Sequence, residues 1–338
     1  MRFGHSETCL AHDTGKRHPE TADRIRAIKR ALAKRHGVSY VEADPVTESA
    51  VTAVHDPDYV AEISSFCAAG GGNWDPDTVA SADTWGAARA SAGLAEWAAR
   101  EAAAGADGRE TPFSIGRPPG HHAVEDDAMG FCFVNNAAVA VQSVLDDAAF
   151  DVDRALIFDW DVHHGNGTQD IFYDEGDVFY ASTHEKGLYP GTGAADETGA
   201  GDGAGTTLNV PLPSGAGDPE FLLVVEELLR PATERYDPDL VVVSAGFDAH
   251  RHDPISRMRV STEGYALLTD RVRSLATDVD AGLAFVLEGG YGLDTLSEGV
   301  AMVHETFDGR PPVEPDGDPD EESRKLVADL RGIHGLDG

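Results

Sequence analysis

Hydrophobic and polar positions along the chain follow two alternating patterns. Short runs rich in Val, Ile, Leu and Phe are separated by longer segments in which apolar residues recur every three or four positions. The short runs are typical of buried strands, and the longer segments are typical of amphipathic helices. Strands that alternate with helices in this way predict an α/β fold, with a parallel sheet covered by helices on both faces.

The short runs predict strands at Thr111–Ile115, Ala155–Asp159, Val178–Ser182, Leu208–Val210, Leu240–Ser244 and Leu283–Leu287. The helical spacing predicts helices at Glu20–Arg35, Pro57–Ala69, Ala82–Ala104, Asn136–Ala148, Glu220–Tyr236, Thr262–Thr277, Thr295–Phe307 and Glu322–Ile333. The stretch Gly70–Asn73 follows a helix, so we predict a loop there. Internal repeats and breaks in composition are absent from the sequence. The pattern therefore predicts one domain over residues 1–308, and the acidic, Pro-rich residues from 309 to 338 form a linker and a last helix packed on it.

Acidic residues dominate the charge of the chain. There are 26 Lys and Arg against 60 Asp and Glu, a formal net charge of −34 at pH 7. This charge repels nucleic acid phosphates and anionic membranes, so we expect neither as a direct partner. Because the acidic residues are dispersed, they favour adaptation to high intracellular salt, a halophilic character. Attraction of a cationic substrate is the alternative, and both explanations are compatible.

Cysteine content and the N-terminal residues bear on location. Cys9, Cys67 and Cys132 show no CxxC spacing, which fits a reducing compartment. The first ten residues, MRFGHSETCL, lack the apolar stretch of a secretory signal, and no apolar run approaches the length of a membrane span. We therefore expect a soluble, cytoplasmic protein.

Four polar motifs directly follow predicted strands. They are GRPPGHHA, DWDVHHGNG, SAGFDAH and LEGGYG. The carboxyl ends of parallel strands meet at one edge of a sheet, where binding sites form. The four motifs together therefore predict an active site at this edge.

Asp161, His163 and Asp248 are candidate ligands of a metal ion. Asp161 and His163 occupy alternate positions of an extended chain, so their side chains point to the same side. Asp248 follows a buried strand and a glycine that lets the backbone turn. Two carboxylates and one imidazole leave positions open for water and substrate, and they accept zinc, iron(II) or cobalt. The alternative is a set of buried ion pairs, which convergence of three ligands disfavours.

The remaining polar residues offer acid–base chemistry. His121 and His122 lie in a loop stiffened by Pro and Gly, where a neutral ring can act as a general base and a protonated ring as an acid. Asp159 can orient one of these rings through a hydrogen bond. Tyr291, behind two glycines, can donate to a developing oxyanion. Taken alone, a histidine pair or a Gly-Gly-Tyr turn is more often structural.

Seven motifs occur in a fixed order: HPETADR (His18–Arg24), RPPGHHA (Arg117–Ala123), GFCFVNNAAVA (Gly130–Ala140), DWDVHHGNGTQ (Asp159–Gln169), YPGTG (Tyr189–Gly193), SAGFDAH (Ser244–His250) and EGGY (Glu288–Tyr291). Together they closely resemble the zinc-dependent histone deacetylase family, which also contains acetylpolyamine amidohydrolases and acetoin-utilisation-type proteins. The resemblance covers residues from about 10 to 305. It implies an arginase/deacetylase-like sheet of about eight strands, with residues 1–308 as the catalytic domain.

The resemblance also implies roles by position. The zinc ligands would be Asp161, His163 and Asp248. His122 would be the general base, and His121 its electrostatic partner bonded to Asp159. Tyr291 would polarise the acetyl carbonyl, and Arg24 would help acetate to leave through an internal channel. The implied substrate contacts are the Gly130 carbonyl, tunnel walls from Phe131 and Tyr189, and a rim position at Ile255. Two potassium sites are implied, with Asp159, Asp161, His163 and Ser182 at the first and the backbone near Phe172 and Val178 at the second.

Three positions depart from the commonest family pattern. Asn166 stands where class I members have Asp, as is typical of class II, and its neutral amide predicts a less basic His122. Tyr189 stands where Phe is usual. Ile255, in HDPIS, occupies a rim position where an acidic residue would favour the cationic chain of a polyamine, so this aliphatic residue favours acetyl-lysine.

The sequence thus predicts a metal-dependent amidohydrolase that removes acetyl groups from Nε-acetyl-lysine of proteins. An acetylpolyamine or another small acetylated amine is the alternative substrate. An arginase-like binuclear hydrolase would need carboxylates at Gly165 and Gly246 and is disfavoured. An inactive protein that binds acetyl-lysine or acetoin-related ligands is disfavoured too, since the ligand set, both histidines and Tyr291 are all present. The oligomeric state and the role of His164 stay open.

Overall fold

An eight-stranded sheet forms the centre of the computed structural model, which describes residues 1–315 and 317–336. The strands are β1 (Arg2–Gly4), β2 (Ser39–Val41), β3 (Gly71–Asn73), β4 (Val79–Ser81), β5 (Pro112–Ser114), β6 (Ala155–Asp159), β7 (Val178–Glu185), β8 (Thr207–Leu212), β9 (Leu240–Ala245) and β10 (Gly282–Leu287). β3 and β4 form a separate antiparallel hairpin. The others pair in parallel in the order β2-β1-β5-β10-β9-β6-β7-β8.

Helices connect the strands of the large sheet. They are α1 (Ala22–Leu32), α2 (Glu48–Val51), α3 (Pro57–Ala68), α4 (Thr84–Ala103), α5 (Asn136–Leu145), α6 (Asn166–Phe172), α7 (Asp218–Val224), α8 (Arg230–Tyr236), α9 (Thr262–Asp278), α10 (Leu293–Phe307) and α11 (Glu321–Ile333). A π-helical turn, Val225–Leu229, joins α7 to α8. Parallel strands need such crossover connections, because the chain must return to the same end of the sheet.

Two hydrophobic cores lie on opposite faces of the sheet. Along β6, Leu156 and Phe158 belong to the core that also contains residues of α1, α9 and α10. The alternate residues Ala155 and Ile157 belong to the core with residues of α3, α4 and α5. All five residues of β6 are buried. Strands covered on both faces read as continuous apolar runs, which is why the sequence revealed them.

The predicted α/β fold with a parallel sheet and helices on both faces is confirmed. The strands of the large sheet outside this prediction, β1 and β2, are only three residues long. The loop predicted at Gly70–Asn73 is wrong, since Gly71–Asn73 forms β3 of the hairpin. The first helix is shorter than predicted because Thr21 is its N-cap, and Glu20 lies outside it as a buried acid.

The C-terminal residues contact the body of the protein. α11 packs against α7 and against β8, the edge strand of the sheet. Arg310 makes a bidentate ion pair with Glu263 at 2.9 and 2.6 Å. The Asp320 N–H donates to Glu220 at 2.9 Å. The domain boundary at residue 308 stays a prediction.

Within the described ranges, no helix is both long enough and apolar enough to cross a membrane.

Candidate active site

The site begins at the carboxyl end of β6, in the middle of the sheet. Asp159 is the last residue of β6 and lies opposite Ser182 of β7 and Ser244 of β9. The segments that leave β9 and β10 carry Asp248 and Tyr291 to the same edge. Because β6, β9 and β10 are neighbours, three of the four polar motifs meet within a small volume.

Asp161, His163 and Asp248 form the candidate metal centre. Their ligand atoms all lie within 4.8 Å of one another. His163 Nδ1 lies 3.0 Å from Asp161 Oδ1 and 3.3 Å from Asp248 Oδ2. Both carboxylates are completely buried, and Asp248 Oδ2 has no hydrogen-bond partner. A buried carboxylate oxygen without a partner is costly unless a cation occupies the adjacent space.

The electrostatics of this cluster fit a divalent cation. Burial raises the pKa of Asp161, but the positive charge of His121 and the hydrogen bonds from His163 hold it well below its usual value. Burial and the charge of Asp161 raise the pKa of Asp248 to about 7. Burial lowers the pKa of His163, but the two carboxylates beside it raise it to about 10. The three groups therefore draw positive charge to one point, and their donor atoms suit zinc or a similar ion.

The tandem histidines lie beside this centre and have different partners. His121 Nδ1 is 3.0 Å from Asp159 Oδ2, and His122 Nδ1 is 2.8 Å from Asn166 Oδ1. Their ring centroids are 4.0 Å apart. Asn166 is the first residue of α6, so the start of that helix fixes the amide.

The surroundings of the two rings give them different charge states. Burial alone would lower the pKa of His121, but the carboxylates of Asp159 and Asp161 raise it to about 10. For His122, burial and the positive charges of His121 and His163 lower the pKa well below 6.5. His121 is therefore a cation, and His122 is a neutral ring that can accept a proton.

Tyr291 lies in the turn between β10 and α10. Its ring packs edge-on against Phe131, with centroids 5.8 Å apart, and the Arg24 guanidinium lies 5.0 Å from its ring centroid. Burial raises the pKa of Tyr291 well above 10, although the charge of Arg24 opposes this shift. The phenol therefore keeps its proton and can act as a hydrogen-bond donor.

The predicted substrate contacts surround the histidine pair. The Tyr189 ring packs edge-on against His122, with centroids 5.1 Å apart and planes at 89°. A Cβ at Gly130 would lie 2.4 Å from the His122 ring, so only glycine fits there. Phe131 has φ of 71°, an uncommon value for a bulky residue that redirects its ring toward Tyr291. Ile255 is half-buried in the loop after Asp253.

The residues of the predicted potassium sites lie at the end of β6, in the segment and helix that follow it, and on β7. Asp159 and Ser182 are register partners, and Ser182 Oγ lies 2.9 Å from His184 Nδ1. Phe172 ends α6, and Val178 begins β7. The potassium sites stay predictions.

Three glycines leave no space for a second metal site of the arginase type. A Cβ at Gly165 would lie 2.2 Å from Asp159 Oδ2, and one at Gly246 would lie 2.1 Å from Asp161 Oδ2. A Cβ at Gly289 would lie 2.1 Å from Asp248 Oδ2. A side chain that bridges two metals cannot enter at these positions without displacing the existing carboxylates.

The structure adds polar residues that the sequence did not single out. Glu288 is buried and accepts hydrogen bonds from the N–H groups of Gly120 and His121 at 2.7 and 3.2 Å, so it holds the histidine loop. Asp253 accepts bonds from the turn that carries Tyr291. Both residues lie in stretches that were identified in the sequence, EGGY and HDPIS. Their partners, however, are backbone groups of distant segments.

The side chain of His164, in the segment after β6, makes a hydrogen bond to the loop that carries Tyr189. Its Nδ1 lies 2.8 Å from Thr192 Oγ1, and its Nε2 lies 2.9 Å from Gln169 Oε1. Burial lowers the pKa of His164 to about 4, so this ring is neutral. We interpret it as a structural link to the Tyr189 loop.

The parallel α/β sheet thus brings together, at its carboxyl edge, three buried groups that could hold a metal ion, two histidines and a phenol. A model of the histone deacetylase domain matches residues 18–307. Histone deacetylase 10, chloroplastic, from Oryza sativa subsp. japonica is 36% identical over 333 residues, which cover 92% of this chain and 75% of that protein. The histone deacetylase-like amidohydrolase of Pseudomonas aeruginosa is 38% identical over 275 residues, which cover 81% of this chain and 71% of that protein.

A solved structure agrees with these relatives. The HD domain of HDA15 superposes with a TM-score of 0.90 at 35% identity, over 98% of this chain and 93% of that chain. The chain therefore belongs to the histone deacetylase family and is a hydrolase of amide bonds. The resemblance found in the sequence, including the arginase/deacetylase-like fold, is confirmed.

Proposed function

We propose that the protein is a metal-dependent deacetylase that hydrolyses Nε-acetyl-lysine in proteins. One observation carries this proposal: a buried Asp-His-Asp cluster lies beside a neutral histidine that is bonded to an amide and beside a phenol that keeps its proton. Amide hydrolysis needs a polarised carbonyl, a proton acceptor for water and a donor for the oxyanion.

Asp161, His163 and Asp248 would hold the metal ion, and we propose zinc. When bound, such an ion polarises the acetyl carbonyl and makes water more acidic. The orphaned Asp248 Oδ2 and the buried negative charge of the cluster support this assignment. Iron(II) and cobalt suit the same donors and are alternatives.

His122 would take the proton from the attacking water. Its Nδ1–H donates to Asn166 Oδ1, which leaves Nε2 free to accept a proton. The cationic ring of His121, held by Asp159, would stabilise negative charge that develops nearby. As the C–N bond breaks, His122 would return the proton to the leaving lysine amine.

Tyr291 would donate its O–H to the oxyanion that forms when water adds to the acetyl carbon. Arg24 contacts the ring of Tyr291 and is completely buried. We propose that its charge also assists the departure of acetate.

The surroundings of the site support a lysyl chain as substrate. Phe131 and Tyr189 present aromatic rings next to Tyr291 and His122, and such walls suit the methylenes of lysine. Ile255 offers no charge to the ammonium groups of a polyamine. We therefore favour acetyl-lysine over acetylpolyamines.

Two further assignments belong to the proposal. We propose potassium near Asp159 and Ser182, where a carboxylate and a hydroxyl are paired across β6 and β7. We also propose a cytoplasmic location, although two plant relatives are named chloroplastic.

The test compares an acetyl-lysine peptide with acetylpolyamines in high salt, with and without a chelator. We expect faster turnover of the peptide, loss of activity with chelator and recovery with zinc. Faster turnover of acetylpolyamines would overturn the substrate preference. Tight binding without turnover, with each metal ion supplied in turn, would identify a binding protein instead of an enzyme.

A further inference from the structure

The turn that carries Tyr291 is held by one carboxylate. Asp253 Oδ2 accepts hydrogen bonds from the N–H groups of Tyr291 and Gly292 at 2.8 and 2.9 Å. The other oxygen, Oδ1, accepts the N–H of Ile255 at 3.1 Å. Asp253 is only 7% exposed, so water competes little for these bonds. One side chain therefore joins the turn of the proposed oxyanion donor to the proposed rim of the substrate tunnel.

The opposite side of the same turn is held by an arginine. Arg24 Nε donates to the Gly290 carbonyl at 2.7 Å, and its Nη2 donates to the Glu288 carbonyl. Gly290 has φ of +113°, a conformation open mainly to glycine. A turn of glycines restrains its own backbone weakly. The position of the Tyr291 backbone therefore depends on Arg24 at its carbonyls and on Asp253 at its amides.

Asp253 is itself anchored close to the metal centre. Its N–H donates to the His250 carbonyl at 2.8 Å. Three residues further on, the Ser256 hydroxyl donates to the Asp248 carbonyl at 2.5 Å. The loop that carries Asp253 is thus tied to the residue that supplies a proposed metal ligand.

We propose that Asp253 is a positioning residue. It places the Tyr291 hydroxyl relative to the proposed metal centre and couples the position of that hydroxyl to the position of Ile255. This inference rests on the proposed function for the role of Tyr291. In the proposed role, Asp253 touches neither substrate nor metal and acts only through the turn. Displacement of a catalytic group by about 1 Å can lower a rate by about 100-fold, so a small shift of the turn would be costly.

Asp253→Asn is the informative substitution. An amide keeps the size of the carboxylate but presents one oxygen and one NH₂ group. The NH₂ group must then face either the two N–H groups of the turn or that of Ile255, and a buried N–H is left without an acceptor. Asp218→Asn is the matched control, because Asp218 likewise accepts a backbone N–H and a second donor, both from Ser261, at 2.7 and 2.6 Å.

The first measurement is kinetic. We expect Asp253→Asn to lower kcat between about 10- and 100-fold, with KM changed less than about twofold. In a Tyr291→Phe background the same substitution should lower kcat less than about twofold further, because no hydroxyl remains to be positioned. Equal losses in both backgrounds would overturn the proposal, and so would a loss of the same size in the Asp218→Asn control.

The second measurement needs no activity. Hydrogen exchange of a peptide that contains Tyr291 and Gly292 should be faster in Asp253→Asn than in the unsubstituted protein, and unchanged in Asp218→Asn. Unchanged exchange in Asp253→Asn would overturn the proposal. If the unsubstituted protein hydrolyses no acetylated substrate, the proposed function fails, and the exchange result still decides whether Asp253 holds the turn.

Discussion

Two histidines that adjoin in sequence differ in their pKa values because their neighbours differ. His121 faces the carboxylate of Asp159, and His122 faces the amide of Asn166. A carboxylate stabilises an imidazolium, whereas an amide only fixes the tautomer. The carboxylate of Asp159 therefore raises the pKa of His121, whereas burial and the charges of His121 and His163 lower the pKa of His122.

Asn166→Asp is predicted to make His122 more basic. A carboxylate at this distance raises the pKa of an imidazole by about 1 to 3 units. Because the base must be unprotonated, the acidic limb of the kcat/KM profile should move to higher pH. Asn166→Ala is the control, since it removes the acceptor without adding charge. A profile that does not move would contradict the assignment of His122.

Tyr291→Phe is predicted to lower kcat about 100- to 1,000-fold, the usual effect of losing an oxyanion donor. KM should change little, because the hydroxyl acts mainly on the transition state. Steady-state kinetics on an acetyl-lysine peptide measure both constants. Tyr236→Phe is the control and should leave kcat unchanged. It removes the hydroxyl of the last residue of α8, which donates a hydrogen bond to the Gly176 carbonyl. An unchanged kcat in Tyr291→Phe would refute its role.

Single residues of the site were predictable to different degrees. Asp161, His163 and Asp248 follow buried strands, so apolar runs and spacing were enough to bring them together. Asp253 and Glu288 act on backbone N–H groups of other segments. A backbone partner leaves no side-chain signal in the sequence, and such contacts emerge only when the fold is known.

At the scale of elements, the sequence was most informative where strands are buried on both sides. β6 matches its predicted bounds, whereas β1 and β2 were missed because Arg2–Gly4 and Ser39–Val41 contain too few apolar residues to form a run. The start of α1 was misplaced for a chemical reason. Glu20 is not a helical surface acid but a partner of Arg117 in the loop after β5, at 2.8 and 2.5 Å.

This ion pair predicts a pH dependence of stability. Burial raises the pKa of Glu20, but the charge and hydrogen bonds of Arg117 outweigh it, and the pKa falls from 4.5 to about 2. A lowered folded-state pKa means that the contribution is complete above pH 4.5 and is lost as the pH falls toward 2. The contribution is on the order of 3 kcal/mol.

Glu20→Gln should therefore destabilise the protein by about 3–5 kcal/mol at pH 7, because it leaves Arg117 buried without a counter-charge. The difference in the free energy of unfolding from the unsubstituted protein should shrink as the pH falls below 4.5. Denaturant titrations at several pH values measure both effects. Glu62→Gln, on the exposed face of α3, is the control and should change stability by less than about 0.5 kcal/mol. A constant difference at all pH values would contradict the account.

At the scale of the whole molecule, negative charge is the dominant property. A net charge of −34 in 338 residues produces repulsion that opposes the compact state. Two large cores on the faces of the sheet offset it. The relatives confirm the fold, but they do not test the halophilic character, which stays a prediction.

Salt is predicted to stabilise the protein. Raising KCl from about 0.1 to 1 M shortens the Debye length from about 10 to 3 Å and screens the repulsion. Each 1 kcal/mol added to the free energy of unfolding should raise Tm by about 2 °C in a chain of this size. An equal rise in NaCl would assign the effect to screening, and a larger rise in KCl would support the potassium sites. A Tm that is unchanged or falls in both salts would contradict the halophilic interpretation.

The glycines at positions 165, 246 and 289 also constrain how this protein can change over evolutionary time. Even the methyl group of alanine would lie within 2.2 Å of a carboxylate oxygen of the site at each position. The first mutational step toward a bridging residue would therefore displace an existing carboxylate before any new one could bind. Single substitutions that lead from this centre to a two-metal hydrolase would thus disturb the existing ligand set first, unless the backbone moved beforehand.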